Sequence, residues 1–161
     1  MKMAVEAPYS KYRKTNLKIY TGFCIVFAVV FGYDGYMSKY DWSLRRSFYE
    51  EHVKDGRPDD TMLFNRMAPV VLFAGALLPA FRLRAVRNKK LSAGENELVL
   101  GDGKKLTYDS IEKIDKTAFD KKGVFIITYR NKDGTGTDLK VSEKDYDNLG
   151  PLLDEVVAKI S

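Results

Sequence analysis

The chain is poor in the residues that most often carry covalent or metal chemistry. Among its 161 residues there is one cysteine, Cys24, and one histidine, His52. A single cysteine excludes an internal disulfide framework and any cysteine-based zinc site. Cys24 stands inside an apolar run, the ordinary place for a small buried thiol. Phe23 precedes it where a lipidation signal needs a small residue, so no lipid anchor is expected there. The sequence also lacks an uninterrupted apolar stretch of about 20 residues, the length that crosses a bilayer core as a helix. It has instead two uncharged runs of 15 residues, IYTGFCIVFAVVFGY (Ile19 to Tyr33) and MAPVVLFAGALLPAF (Met67 to Phe81).

The flanks make up the shortfall. Leu17 and Lys18 extend the first run, because a terminal lysine can carry its amine to the interface. Met62, Leu63 and Phe64 extend the second back across Asn65 and Arg66. Tyr20, Tyr33 and Tyr36 bracket the first run as interfacial aromatics do. Both runs are apolar all round, whereas a helix packed on a soluble core keeps a polar face at period 3.6. No small-x-small cleavage site follows the first run, so it is expected to stay attached. Pro69 and Pro79 fall within the second run, where neighbouring helices can re-satisfy the carbonyls they free. Ala68, Ala74, Gly75 and Ala76 have the small-residue composition common in membrane helices, without a strict small-xxx-small repeat.

The mean hydropathy of −0.31 conceals a segregation of charge. Met1 to Lys90 holds 16 Lys/Arg against 8 Asp/Glu, and Leu91 to Ser161 holds 11 against 14, which together give the net charge of +5. The basic excess therefore lies beside the apolar runs and not on the later half, which argues against a nucleic-acid module. Cation density sets the expected orientation. Five Lys/Arg lie in the first 18 residues, five in the nine residues RLRAVRNKK, and five in the 27 residues Asp34 to Asp60. Both termini are then expected on the cytoplasmic side of an inner (cytoplasmic) membrane. Arg82, Arg84, Arg87, Lys89 and Lys90 would form the cytoplasmic collar of the second helix and are the candidates for lipid-headgroup contact. The expected layout is a membrane hairpin over residues 1–84, with helices at about 17–36 and 62–83 and an outer segment 37–61, ahead of a cytoplasmic domain 85–161.

In the outer segment, DWSLRRSFYEEHVKDGRPDD reads as a short helix capped by Asp41 and ended by KDGRPDD, with Gly56 and Pro58. Trp42, Tyr49 and Val53 fall near one side of that helix, with Arg45 and Arg46 between, a pattern suited to a membrane surface or a neighbour. Trp42, Arg45, Arg46 and Tyr49 are the protein-contact candidates, being of the types that dominate interface hot spots. His52 has Glu50, Glu51, Asp55, Asp59 and Asp60 near it, but one histidine among scattered acids lacks zinc or calcium ligand spacing. No metal site is expected.

Beyond Ala85 the pattern turns to alternation. ELVLGDGKKLTY reads as a hairpin around Gly101 to Gly103, and GVFIITYRNKDGTGTDLKVS as a second one turning at NKDGTG. Val124, Ile126 and Thr128 belong to one face, with Phe125, Ile127 and Tyr129 on the other. SIEKIDKTAF is expected to add a strand with Ile111 and Ile114 inward. Tyr146, Leu149, Leu153, Val156 and Ile160 recur at 3, 4, 3, 4, a helical stripe that either kinks at Gly150-Pro151 or begins there. The expected core is Leu98, Leu100, Leu106, Ile111, Ile114, Phe125, Ile127, Leu139, Val141, Leu153 and Val156.

LTYDSIEKI, then KKGVFIITYRNKDGTG and a closing helix, resembles bacterial pleckstrin-homology-like (PH-like) domains, which often sit behind a two-helix membrane hairpin. Tyr108, Asp109, Ser110, Ile111 and Ile114 fill the places of the family's aromatic, acidic-or-serine pair and I-x-x-I step, with Tyr108 where tryptophan is common. The resemblance covers roughly Ala85 to Ser161. It implies an α+β domain: an antiparallel, curved sheet or partial barrel closed by a C-terminal helix. Five or six strands are visible in the sequence where the full fold has seven.

No catalytic constellation emerges. His52 and Cys24 fall in different environments, so neither Cys/His nor Ser/His pairs are expected. GDGKK lacks the spacing of a phosphate loop. Asp109, Glu112 and Asp115 alternate with hydrophobics as on a half-solvated strand. The expectation is a non-catalytic membrane adaptor or accessory subunit, with no cofactor. Its partners would be membrane lipids and other membrane or cytoplasmic proteins, not nucleic acid. The alternative is a membrane-anchored lipid-headgroup-binding module drawing also on Lys104 and Lys105, against which the acidic balance of the domain counts.

Overall fold

The computed structural model describes residues 4–131 and 133–160. In chain order it begins with β1 (Val5–Pro8) and α1 (Lys11–Gly32), which runs on into a π-helical turn, Tyr33–Met37. A short connecting region follows, with α2 (Arg46–His52), β2 (Val53–Lys54) and β3 (Arg57–Pro58), and then α3 (Asp60–Val86). The remainder is β4 (Lys90–Ala93), β5 (Glu97–Val99), β6 (Lys105–Thr107), β7 (Ile111–Asp115), α4 (Phe119–Lys122), β8 (Val124–Arg130), β9 (Gly136–Ser142) and α5 (Leu149–Ile160). The chain divides into two compact units: the N-terminal residues through Lys14 together with Ala85 onward, and Thr15–Arg84.

Both long helices exceed the expected spans. Lys11–Met37 and Asp60–Val86 are 27 residues each, about 40 Å at 1.5 Å per residue, against a bilayer core of about 30 Å. Both are long and apolar enough to cross a membrane, and only 6% and 17% of their apolar stretches are buried. A core helix of a soluble domain buries most of its apolar side chains, whereas Phe23, Val26, Val29, Val70, Val71 and Leu78 are exposed here.

The helices meet near Gly35. Pro69 has no N–H for the Asn65 carbonyl four residues earlier, and the backbone of Gly35 lies against that carbonyl. A Cβ at position 35 would come within 2.6 Å of the Asn65 oxygen. The π-helical turn loosens the local ladder, and Arg66 donates from Nε to the Gly35 carbonyl at 3.2 Å. Tyr36 donates its hydroxyl to the Arg66 carbonyl at 2.9 Å. Phe31 meets Phe64 edge-on at 5.4 Å. The N-terminus of α3 is capped by Asp59, whose carboxylate accepts the Met62 N–H at 2.9 Å.

The sheet unit holds a four-stranded antiparallel sheet, β1-β4-β5-β6, and a three-stranded antiparallel sheet, β7-β8-β9. The two are not joined into a closed barrel. Residues 1–14, grouped with the hairpin by sequence, supply a strand to this unit: Val5 pairs with Ala93, Ala7 with Leu91 and Pro8 with Lys90. Neither that strand nor β4 is among the strands named from the sequence. Burial alternates along β8, where Phe125, Ile127 and Tyr129 are buried. Ile111 and Ile114 are three residues apart and could not share a face of a regular strand. A register shift between Ile111 and Lys113 re-phases β7, so that both join the core. The α5 helix begins at Leu149 with Pro151 in its first turn and does not kink. Its Leu149, Leu152, Leu153 and Val156 are buried in one cluster with Ala7, Leu98, Phe125 and Val141.

Candidate functional site

Residues 37–61, expected to form an outer segment, are held by charge and aromatic contacts. The helix expected to start at Asp41 begins at Arg46 instead, and Arg45, at its N-cap position, makes no side-chain cap. Residues 38–45 form turns, with Ser43 accepting the Arg45 N–H at 3.2 Å on its hydroxyl. Trp42 therefore lies outside α2 and Val53 beyond it in β2, so the expected Trp42–Tyr49–Val53 helical stripe does not form. Trp42 stacks on Tyr40 instead, with ring centroids 5.6 Å apart. Trp42 and Leu44 are 67% and 93% exposed, which leaves this turn the most apolar uncovered part of the segment.

The two arginines do different work. Arg45 grips Asp34 with two hydrogen bonds, at 2.9 and 3.1 Å, tying the outer segment to the end of the first helix. That carboxylate, first through hydrogen bonding and then through charge, raises the guanidinium pKa further above its ordinary value. Arg46 donates to Glu50 at 3.0 Å and to the Lys39 carbonyl, and stacks over Tyr49 at 5.3 Å. Tyr49 is half-buried beneath it. His52 pairs with Asp59 at 2.8 Å and packs against Phe48. Hydrogen bonds from the Met62 N–H and then from His52 hold the Asp59 carboxyl below the usual carboxylate range. No group of three metal-ligating side chains occurs among the described residues. The β2–β3 turn places Asp55 and Gly56 at φ of 51° and 75°, the left-handed pair that a two-residue hairpin turn requires.

The collar divides in three. Arg82 and Arg84 end α3, exposed and without an ion pair among the described residues; Arg87 follows, also exposed. Lys89 is half-buried, and its carbonyl accepts the Tyr9 N–H at 2.9 Å. Lys90 belongs to β4, and Glu6 of β1 holds its amine at 2.6 Å.

The sheet unit carries two polar clefts. One, of about 660 Å³, lies by Lys104, Lys105, Arg130 and Asn131. Its cations are all engaged. Lys104 donates to Tyr129 and Asn131 at 2.9 Å each, Lys105 meets Glu97 at 2.5 Å, and Arg130 meets Glu112 at 2.5 Å. The other cleft, of about 830 Å³, lies between α4, the ends of β8 and β9, and Arg13 in the first turn of α1. Its lysines could not be singled out by sequence, because Lys121–Lys122, Lys140 and Lys144 come together only through the β8–β9 pairing.

The carboxylates Asp109, Glu112 and Asp115 do not converge. Asp109 is exposed, Glu112 meets Arg130, and Asp115 accepts the N–H and hydroxyl of Thr117 at 3.0 and 2.7 Å. Those Thr117 bonds lower the pKa of Asp115, as Thr135 does for Asp133. Tyr108 is buried and donates to the Gly94 carbonyl at 2.8 Å; burial raises its pKa. No protein family, curated protein or solved structure matches the chain.

Proposed function

We propose that the chain is a non-catalytic integral-membrane adaptor or accessory subunit. It sits in a bacterial inner membrane with both termini cytoplasmic, and its sheet unit is a PH-like domain. Seven antiparallel strands in two sheets followed by a helix support the PH-like reading. Pairing of β1 with β4 supports both termini lying on one side: the start of α1 and the end of α3 both lead into one sheet, which suits an even number of crossings.

The observation that carries the adaptor role is the exposed Tyr40–Trp42–Leu44 turn. Its aromatic pair is already stacked and its flanks are clamped by Arg45 and Arg46, so little ordering entropy opposes a partner docking there. The test is purification of the full chain in mild detergent with mass identification of what accompanies it. Trp42→Ala should release at least one stoichiometric protein while leaving membrane insertion intact, and Tyr49→Ala should do so more weakly. A chain recovered only as free monomer, or partners indifferent to Trp42, would overturn the adaptor reading.

The alternative, a lipid-headgroup-binding module, draws on Arg82, Arg84 and Arg87, which have no ion pair among the described residues.

A further inference from the structure

We propose that the cleft at the head of α1 binds the phosphate of an anionic lipid headgroup. This rests on α1 crossing a membrane, and it adds a ligand class to the adaptor reading. Five cations line the cleft: Arg13, Lys121, Lys122, Lys140 and Lys144. Three carboxylates face them, Asp120, Glu143 and Asp145. Arg13 is consumed internally, donating from Nε to the Lys144 carbonyl at 3.0 Å and meeting Asp145 at 3.1 Å. That leaves four lysines against Asp120 and Glu143. None of the four ammonium groups makes an ion pair or hydrogen bond among the described residues.

The contrast with the other cleft decides the choice. There each of Lys104, Lys105 and Arg130 is matched by an acceptor of this chain. From Leu91 onward acids outnumber Lys/Arg by 14 to 11, yet no carboxylate among the described residues pairs with these four lysines. The two lysine-bearing segments are pinned together: the Glu143 N–H donates to the Gly123 carbonyl at 2.8 Å, where Gly123 ends α4 at φ 62°. Like charges held side by side in this way favour an anion that bridges them. A headgroup phosphate is the source the chain's layout selects, because Arg13 precedes the apolar run at Ile19 by six residues of one continuous helix. The Arg13–Asp145 pair thus ties the cleft to the first turn of α1.

The test uses the full chain in mild detergent, with native mass spectrometry of bound dioleoyl phosphatidylglycerol, of dioleoyl phosphatidylcholine, and of inorganic phosphate as the free anion. Phosphatidylglycerol should be retained over phosphatidylcholine and not displaced by excess phosphate. Replacing Lys121, Lys122, Lys140 and Lys144 together by Gln should weaken that retention at least about tenfold, given roughly fivefold for each cation near a membrane surface. The pairs Lys121→Gln/Lys122→Gln and Lys140→Gln/Lys144→Gln should each give part of the loss, and serve if the quadruple variant misfolds. Asp120→Asn should strengthen retention. Retention unchanged in both lysine pairs, or displacement by phosphate, would overturn the headgroup site. Carbonate extraction from vesicles separates the two claims. A chain that extracts fails the membrane reading itself, whereas one that stays inserted without lipid preference fails only this inference.

Discussion

At the scale of single residues, Gly35 is the glycine whose added Cβ would come closest to backbone. Its neighbour is backbone, not a flexible side chain, so an added methyl cannot be accommodated by a rotamer change. Gly35→Ala should force the first helix away from the Asn65 carbonyl and cost about 1–3 kcal/mol, as overpacking does. A lowered melting temperature in detergent is the readout, and an unchanged one would contradict the close approach. Asp59 gives a pH signature. Its folded pKa lies below the unfolded value near 3.8, so its stabilising contribution is fully present above that value and is lost as pH falls through the folded pKa. The melting-temperature advantage of the natural chain over Asp59→Asn should therefore be constant from neutrality to about pH 5 and shrink below about pH 4. An advantage that persists at acid pH would show that the carboxylate's charge is not what caps α3.

At the scale of elements, strand β1 changes what counts as the folding unit. Fully buried Ala7 belongs to the same core as Phe125 and Val156, and the Tyr9 N–H reaches the Lys89 carbonyl at 2.9 Å. The whole hairpin is thus inserted between two neighbouring strands. A chain starting at Ala85 should melt well below one in which residues 1–10 are joined to residue 88 by a short Gly/Ser linker, with circular dichroism as the measurement. Equal stability would mean that β1 contributes nothing. Sequence could not reveal this strand, because VEAP is four residues with a proline and its partner lies some 85 residues later. By contrast β8 was legible, since alternation along VFIITYR is local. So was the α5 stripe, though fully buried Leu152 lay outside the spacing read from it. The bulge that lets Ile111 and Ile114 share a face was legible only as a contradiction in the pattern. Trp42, Arg45, Arg46 and Tyr49 were legible as a group by composition. Their arrangement was not, because Arg45 is taken by Asp34, 11 residues away, and α2 starts after it. The cleft lysines were invisible for the same reason as β1: only strand pairing assembles them.

At the scale of the whole molecule, the proposed topology is a hairpin: two apolar helices cross the membrane, with residues 37–61 on the side opposite both termini. The apolar surface of α1 and α3 needs a solvent that accepts it, and the strand pairing between the segments before α1 and after α3 needs both on one side. Topology reporters fused before residue 5, at residue 55 and after the C-terminus measure this most directly. Cytoplasmic signals are expected from the two terminal fusions and an external signal at Asp55. A cytoplasmic signal at Asp55, or opposite signals from the two termini, would contradict it.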